Sequence, residues 1–195
     1  MNTADYFTAL YQRPDPFGYR ERWYEARKRA LTLACLPAQR YRCGWELGCS
    51  NGVLTAELAT RCDTLLGTDL SADALADAAR STQRCDNVDL QQARHPDQWP
   101  PGRFDLIVVS EVGYYLTPQE VVTMAGKLRA SLTGDGLLLA CHWLHPFAEA
   151  LTPAEQVHRA FARGLEEAFR YQDADLLMQA WSVVPTSVAK AEGLR

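Results

Sequence analysis

Between residues 42 and 142 the chain repeats one pattern: a short apolar run, a few turn residues, then an amphipathic stretch at helical spacing. Parallel strands cannot be joined by tight turns and need a crossover, so this alternation dictates stacked strand–helix–strand units around a mostly parallel sheet. Strands are expected at Gly44–Leu47, Thr64–Asp69, Val88–Ala93, Phe104–Ser110 and Gly136–His142, with helices at Val53–Arg61, Ala72–Thr82 and Pro118–Leu132. The boundaries carry their own chemistry. Ser71 before Ala72-Asp73, and Thr117 before Pro118 with Glu120 three residues on, supply capping oxygens and a proline suited to a first helical turn. Thr133-Gly134-Asp135-Gly136 is expected to end the third helix through a left-handed glycine.

Ahead of this core, Gly18–Leu36 spaces Tyr19, Trp23, Tyr24, Ala30, Leu31 and Ala34 as on one helix face, interleaved with Arg20, Arg22, Arg27, Lys28 and Arg29. An amphipathic helix covering the sheet follows. After the core, Pro153–Leu165 reads as a helix, and Glu166–Tyr171 and Asp175–Trp181 read as a hairpin turning at Gln172-Asp173-Ala174. The 195 residues divide into a cap segment (1–40), a Rossmann-like α/β core (41–182) and a tail (183–195), together one domain.

Charge and composition narrow the partners. With 20 Lys plus Arg against 24 Asp plus Glu, the net charge of -4 offers no global attraction to nucleic acid or an anionic membrane, which leaves a small-molecule ligand. No apolar run approaches the ~20 residues of a bilayer span, and the first residues lack the basic opening and apolar stretch of a signal peptide, so a cytoplasmic location is expected. The 6 cysteines include no CxxC pair, which suits a reducing compartment.

The most informative stretch is Trp45-Glu46-Leu47-Gly48-Cys49-Ser50-Asn51-Gly52, a strand end, a glycine turn and a helix start. A turn that cradles pyrophosphate reads GxGxxG and aims a helix N-terminus at the phosphates. Here the spacing is Gly48-x-x-x-Gly52, and Glu46 stands where it would repel phosphate and attract a cation. A second carboxylate, Asp69, closes the next strand at a distance suited to accepting both ribose hydroxyls, with Leu70 beside it. The nucleoside that fits is one with positive charge and no phosphate, S-adenosylmethionine, leaving S-adenosylhomocysteine as product. Glu46, Gly48, Cys49, Ser50, Gly52, Asp69 and Leu70 are therefore the expected binding residues.

Methyl transfer from a sulfonium needs alignment and a deprotonated nucleophile more than covalent help. Ser110 ends the fourth strand and Glu111 lies just beyond it, where open α/β sheets bind ligands, and Glu111 is expected to contact the donor and to hold or deprotonate an acceptor ammonium. Tyr114 offers an aromatic face to a methylated cation. His142, ending the fifth strand, is the best histidine base. Cys141, His142 and His145 form no metal site, because neighbours on a strand point to opposite faces.

These residues resemble a known family. Asp15-Pro16-Phe17-Gly18-Tyr19, Trp23-Tyr24-Glu25-x-Arg27-Lys28, Gly48-Cys49-Ser50-x-Gly52-Val53-Leu54-Thr55, Trp99-Pro100-x-Gly102-x-Phe104-Asp105-Leu106-Ile107-Val108 and Ser110-Glu111-Val112-x-Tyr114-Tyr115-Leu116 together resemble the nodulation protein S (NodS)-like class I S-adenosylmethionine-dependent methyltransferases, over about residues 14 to 181. The resemblance implies a seven-stranded sheet with its last strand reversed and a small amine or amino-sugar-type acceptor. It also implies that Trp23 and Arg27 of the cap helix meet the cofactor. Where many relatives carry an acid after the third strand, this chain has Ala93-Arg94-His95, so Ala93 and Arg94 are assigned to the adenine. The leading expectation is an N-methyltransferase. Alternatives are O-methylation of a small hydroxylated metabolite and a catalytically silent cofactor-binding protein. Oligomeric state is open.

Overall fold

The computed structural model describes residues 3–13, 15–185 and 187–195, so parts of the expected cap segment (1, 2 and 14) and of the tail (186) lie outside the described residues. Seven strands form one sheet: β1 (Tyr41–Leu47), β2 (Cys62–Asp69), β3 (Val88–Gln92), β4 (Phe104–Ser110), β5 (Leu132–Trp143), β6 (Glu166–Gln172) and β7 (Leu176–Ser182). Their order is β3-β2-β1-β4-β5-β7-β6, with only β7 antiparallel to its neighbours. This is the Rossmann-like methyltransferase architecture. The hairpin read from the sequence is present, and it wedges β7 between β5 and β6.

Strand order reverses between β1 and β4, and the crevice outside their carboxyl ends is where such sheets bind ligands. Both faces are covered, so the central strands are apolar throughout. Trp45, Leu47, Ile107, Val109, Leu138 and Ala140 pack toward α5 (Pro118–Ser131) and α6 (Ala154–Phe161). Leu106, Val108, Leu137, Leu139 and Cys141 pack on the opposite side. Alternate residues facing opposite layers is what the pleat imposes.

The remaining helices are α1 (Thr3–Leu10), α2 (Trp23–Cys35), α3 (Val53–Ala59), α4 (Ala72–Ser81) and α7 (Val188–Ala191). Both expected caps form: Ser71 accepts from the Ala74 amide, and Thr117 with Glu120 makes a capping box behind Pro118. Two expectations need correction. The covering helix begins at Trp23 rather than Gly18, because the chain from Asp15 to Arg22 turns instead. No left-handed glycine ends α5; the backbone passes straight into β5 at Leu132. Gly136 serves another need, since a Cβ there would lie 2.9 Å from the Phe104 carbonyl oxygen of β4.

Candidate active site

The turn after β1 is held from below. The Gly48 and Cys49 amides both donate to the Thr68 carbonyl, and the Ser50 amide donates to Asp69 Oδ2 at 2.8 Å. Gly48, Ser50 and Gly52 all take positive φ, which Ser50 does without being glycine. A side chain at Gly48 would meet Val112 Cγ2 at 2.2 Å, and one at Gly52 would meet the Ala78 backbone at 2.7 Å. Glycine is thus required at both ends of the turn by neighbouring chain. Asp69 accepts from the Ser71 amide through its other oxygen, at 2.9 Å. Burial raises the Asp69 carboxyl above its ordinary range, and these amides oppose that.

A cavity of about 580 Å³ opens above this turn. Its wall includes Gly48, Ser50, Asp69, Leu70, Ala93, Arg94 and His95, with Ser110, Glu111 and Tyr114. Rings of Tyr115, Trp143 and Phe147 also line it, and the cap segment contributes Phe7, Tyr11, Phe17, Tyr19 and Tyr24. That segment is fastened to the turn itself: Tyr11 Oη lies 2.6 Å from Ser50 Oγ, and Asn51 donates to Asp15 at 3.0 Å.

Glu46 sits beyond this cavity in a smaller space shared with Gly48, Cys49, Ser50, Glu25, Lys28 and Glu111. It is buried, accepts from Thr55 Oγ1 at 2.6 Å, and burial pushes its carboxyl up to about 8. Cys49 lies there too, its sulfur turned under the turn toward Gly67. Gly52 touches neither space and packs on α4.

Glu111 has φ 60, an uncommon conformation for a non-glycine residue and one that clusters at functional sites. Its amide donates to the Cys141 carbonyl. Its Oε1 accepts from Lys28 Nζ at 2.9 Å; its Oε2 accepts from Tyr114 Oη and from the Trp143 amide at 2.9 Å. The carboxylate is therefore committed to protein partners. Lys28 is itself buried, pairs with Glu25 as well, and lies 5.3 Å from the Tyr24 ring and 5.8 Å from the Tyr19 ring. Burial works against this ammonium, but Glu111 and Glu25 outweigh it and raise its pKa.

Three expected residues stand elsewhere. His142 is off the cavity wall, behind it: the Gly113 amide donates to its Nε2 at 3.0 Å, so Nδ1 carries the proton and faces His158 Nε2 at 2.9 Å. His158 passes the pattern to Gln179 at 2.8 Å, and Gln179 to Glu167 at 2.7 Å. Burial holds both imidazoles down to about 3. A neutral ring whose lone pair is taken is no free base, and His142 instead pins the 3₁₀ turn Gly113–Tyr115. Arg27 meets Asp173 and Tyr171 rather than the cavity, because α2 turns that face toward the β6–β7 hairpin. Trp23 is 77% exposed at the first residue of the helix, with no wall to join.

The residues that sequence reasoning missed are Glu25 and Lys28, to which it gave no part in the site. Tyr24, Lys28 and Thr32 recur at i, i+4 and i+8, a spacing that puts Lys28 on the buried side. His95 was also passed over; Thr68 bridges it at 2.9 Å to the Trp45 indole, and burial lowers it to about 4.

Among the described residues no group of His, Cys, Asp or Glu converges as a metal site, and no helix is long and apolar enough to cross a membrane.

The methyltransferase-domain family model matches residues 45–138. A presumptive methyltransferase of Pseudomonas syringae, known from its crystal structure, is 43% identical, with 83% of this chain and 99% of that chain covered and a TM-score of 0.73. The chain belongs to the class I S-adenosylmethionine-dependent methyltransferases. Within that family its fold is like that of the N-methyltransferase NodS from Bradyrhizobium japonicum WM9, solved with S-adenosyl-L-homocysteine, at 24% identity and TM-score 0.84, covering 93% of this chain and 98% of that one. The DhpI–SAH complex shares the methyltransferase fold at 18% identity and TM-score 0.75, covering 94% and 96%. No curated protein matches the sequence significantly.

Proposed function

We propose that this methyltransferase moves the methyl group of S-adenosylmethionine to the nitrogen of a small amine or amino-sugar-type acceptor. The cavity suits a donor without phosphate: of the cations on its wall, Arg94 lies 3.6 Å from Asp97 and Lys28 is paired with Glu25 and Glu111, and a carboxylate, Asp69, closes β2 beside the glycine turn. Asp69 would take the ribose hydroxyls, Ala93, Arg94 and Leu70 the adenine end, Ser110 and the Gly48–Ser50 backbone the middle, and Glu46 the donor ammonium. The donor supplies an electrophilic methyl on a sulfonium. The chain's own task is to orient the acceptor and exclude water, which the cap segment and the aromatic wall accomplish.

The observation that carries the nitrogen reading is the rest of the same cavity wall, where Tyr114, Tyr115, Trp143 and Phe147 stand with Glu111, Glu149 and Asp175. Aromatic faces and carboxylates together favour a cationic or partly cationic acceptor. Oxygen methylation is the second reading, favoured by one feature: Glu111 already has Lys28, Tyr114 and the Trp143 amide as partners, so it polarises Tyr114 rather than gripping an ammonium outright.

Titration calorimetry with S-adenosylmethionine, followed by a S-adenosylhomocysteine product assay across matched amines and alcohols, tests this. Turnover of amines supports the proposal, and turnover of alcohols alone replaces it with the second reading. Binding with no product from any acceptor marks a silent cofactor-binding protein. With an active acceptor in hand, Glu111→Gln should lower kcat at least ~30-fold while leaving the S-adenosylhomocysteine Kd within about threefold.

A further inference from the structure

The acceptor reading leaves one buried group without a task, the ammonium of Lys28. Its Nζ lies 3.1 Å from Glu25 Oε1, 2.9 Å from Glu25 Oε2 and 2.9 Å from Glu111 Oε1. Two carboxylates around one ammonium leave one negative charge unbalanced. The other partners of Glu111, Tyr114 Oη and the Trp143 amide, are neutral donors. Glu25 is only 7% exposed, and its Oε2 has the ionic contact with Lys28 but no aligned hydrogen bond; the buried Tyr24 hydroxyl has no hydrogen-bond partner among the described residues. All three charged residues line the main cavity and also the smaller space behind Gly48 and Ser50, so the excess charge faces both sides of the donor turn.

Two bare carboxylates this close would not both stay ionised away from water; burial raises the Glu25 carboxyl, and the lysine between the two opposes that and favours the pair charged, with a total of one. S-adenosylmethionine and S-adenosylhomocysteine differ by a methyl group and by the sulfonium charge that goes with it. We propose, resting on the donor reading above, that Glu25, Lys28 and Glu111 form a charge selector that holds the sulfonium-bearing donor more tightly than its neutral thioether product. The cap helix α2 supplies two of the three members, so closure of the cap over the cavity and recognition of donor charge are one event. After each transfer the cavity contains a product that the excess charge no longer retains.

The test is the ratio of Kd for S-adenosylhomocysteine to Kd for S-adenosylmethionine, measured by calorimetry on the full chain without acceptor. Glu25→Gln and Glu111→Gln each remove the unbalanced charge without changing side-chain volume. Each should lower the ratio at least about tenfold, the effect of one charge roughly 12 Å from the sulfonium in a medium of effective dielectric constant ~20, almost wholly through weaker S-adenosylmethionine binding. The double variant Glu25→Gln/Lys28→Met returns the total to one negative charge and should bring the ratio back to within about twofold of the parent. A ratio unchanged in both single variants overturns the proposal, and failure of the double variant to restore it overturns the part assigned to Lys28. A parent chain that binds neither ligand refutes the donor reading itself, a distinct result.

Discussion

Glu46 is held in the folded protein at about 8 against an ordinary 4.5, because burial penalises its charge and only the Thr55 hydroxyl offsets that. The folded state therefore binds this proton more tightly than the unfolded chain. Stability from Glu46 is fully present below 4.5 and is lost as pH rises through about 8. Integrated over that window, the ionisable group costs on the order of 3 kcal/mol at pH 7 and about 5 kcal/mol above pH 9. Glu46→Gln keeps an acceptor for Thr55 Oγ1 and removes the proton equilibrium, so the variant should be more stable than the parent by about 3 kcal/mol at pH 7, with a gap that widens toward pH 9. Urea denaturation of both chains from pH 5 to 9 measures this. The difference between the curves isolates Glu46, since Asp69 and the buried histidines are common to both. The same equilibrium has a functional readout. A donor ammonium arriving beside Glu46 should expel its proton, so calorimetric binding enthalpy at pH 7 should vary with the ionisation enthalpy of the buffer in the parent and not in Glu46→Gln. A difference between the urea curves that stays flat across pH, or a variant less stable than the parent, would refute the reasoning.

Asp69→Ala removes the acceptor of the Ser50 and Ser71 amides and should raise the S-adenosylhomocysteine Kd at least ~10-fold by calorimetry; a change under about threefold would separate Asp69 from the donor. Gly52→Ala forces an alanine to φ 73 and drives its Cβ to 2.7 Å from Ala78, so urea denaturation should show a loss of about 2–4 kcal/mol, against the reasoning if the loss is below ~0.5. His142 and His158 should remain neutral with the proton on Nδ1 at pH 5 in ¹⁵N NMR spectra, and an imidazolium signal from either would contradict the chain from Gly113 to Gln179. Their folded values lie below the unfolded ones, so the stability they contribute is complete above about 6.5 and falls away as pH drops toward 3.

The sheet and its switch point were legible because they are written locally. Short apolar runs, the Ser71 and Thr117 caps and the glycine turn at 48–52 are properties of neighbouring residues, and the structure has them within a few positions. Asp69 at the end of β2 and Glu111 just past β4 followed from the same local grammar. The cap segment was less legible. No local signal marks the helix at Thr3–Leu10, and Arg27, Lys28 and Trp23 share one short stretch while their fates depend on what each meets: Asp173 of a distant hairpin, Glu111 just past β4, and solvent.

By itself, then, the amino-acid order determined the strand–helix alternation, the glycine bend at 48–52 and the acids at the strand ends. Only the tertiary structure decided which charges are buried, that Glu111 is engaged by Lys28, and that His142 is a neutral strut rather than a base. The physical reason is range. Backbone conformation is set by residues a few positions apart, whereas the state of an ionisable side chain is set by desolvation and by partners up to 146 positions away, as between Arg27 and Asp173.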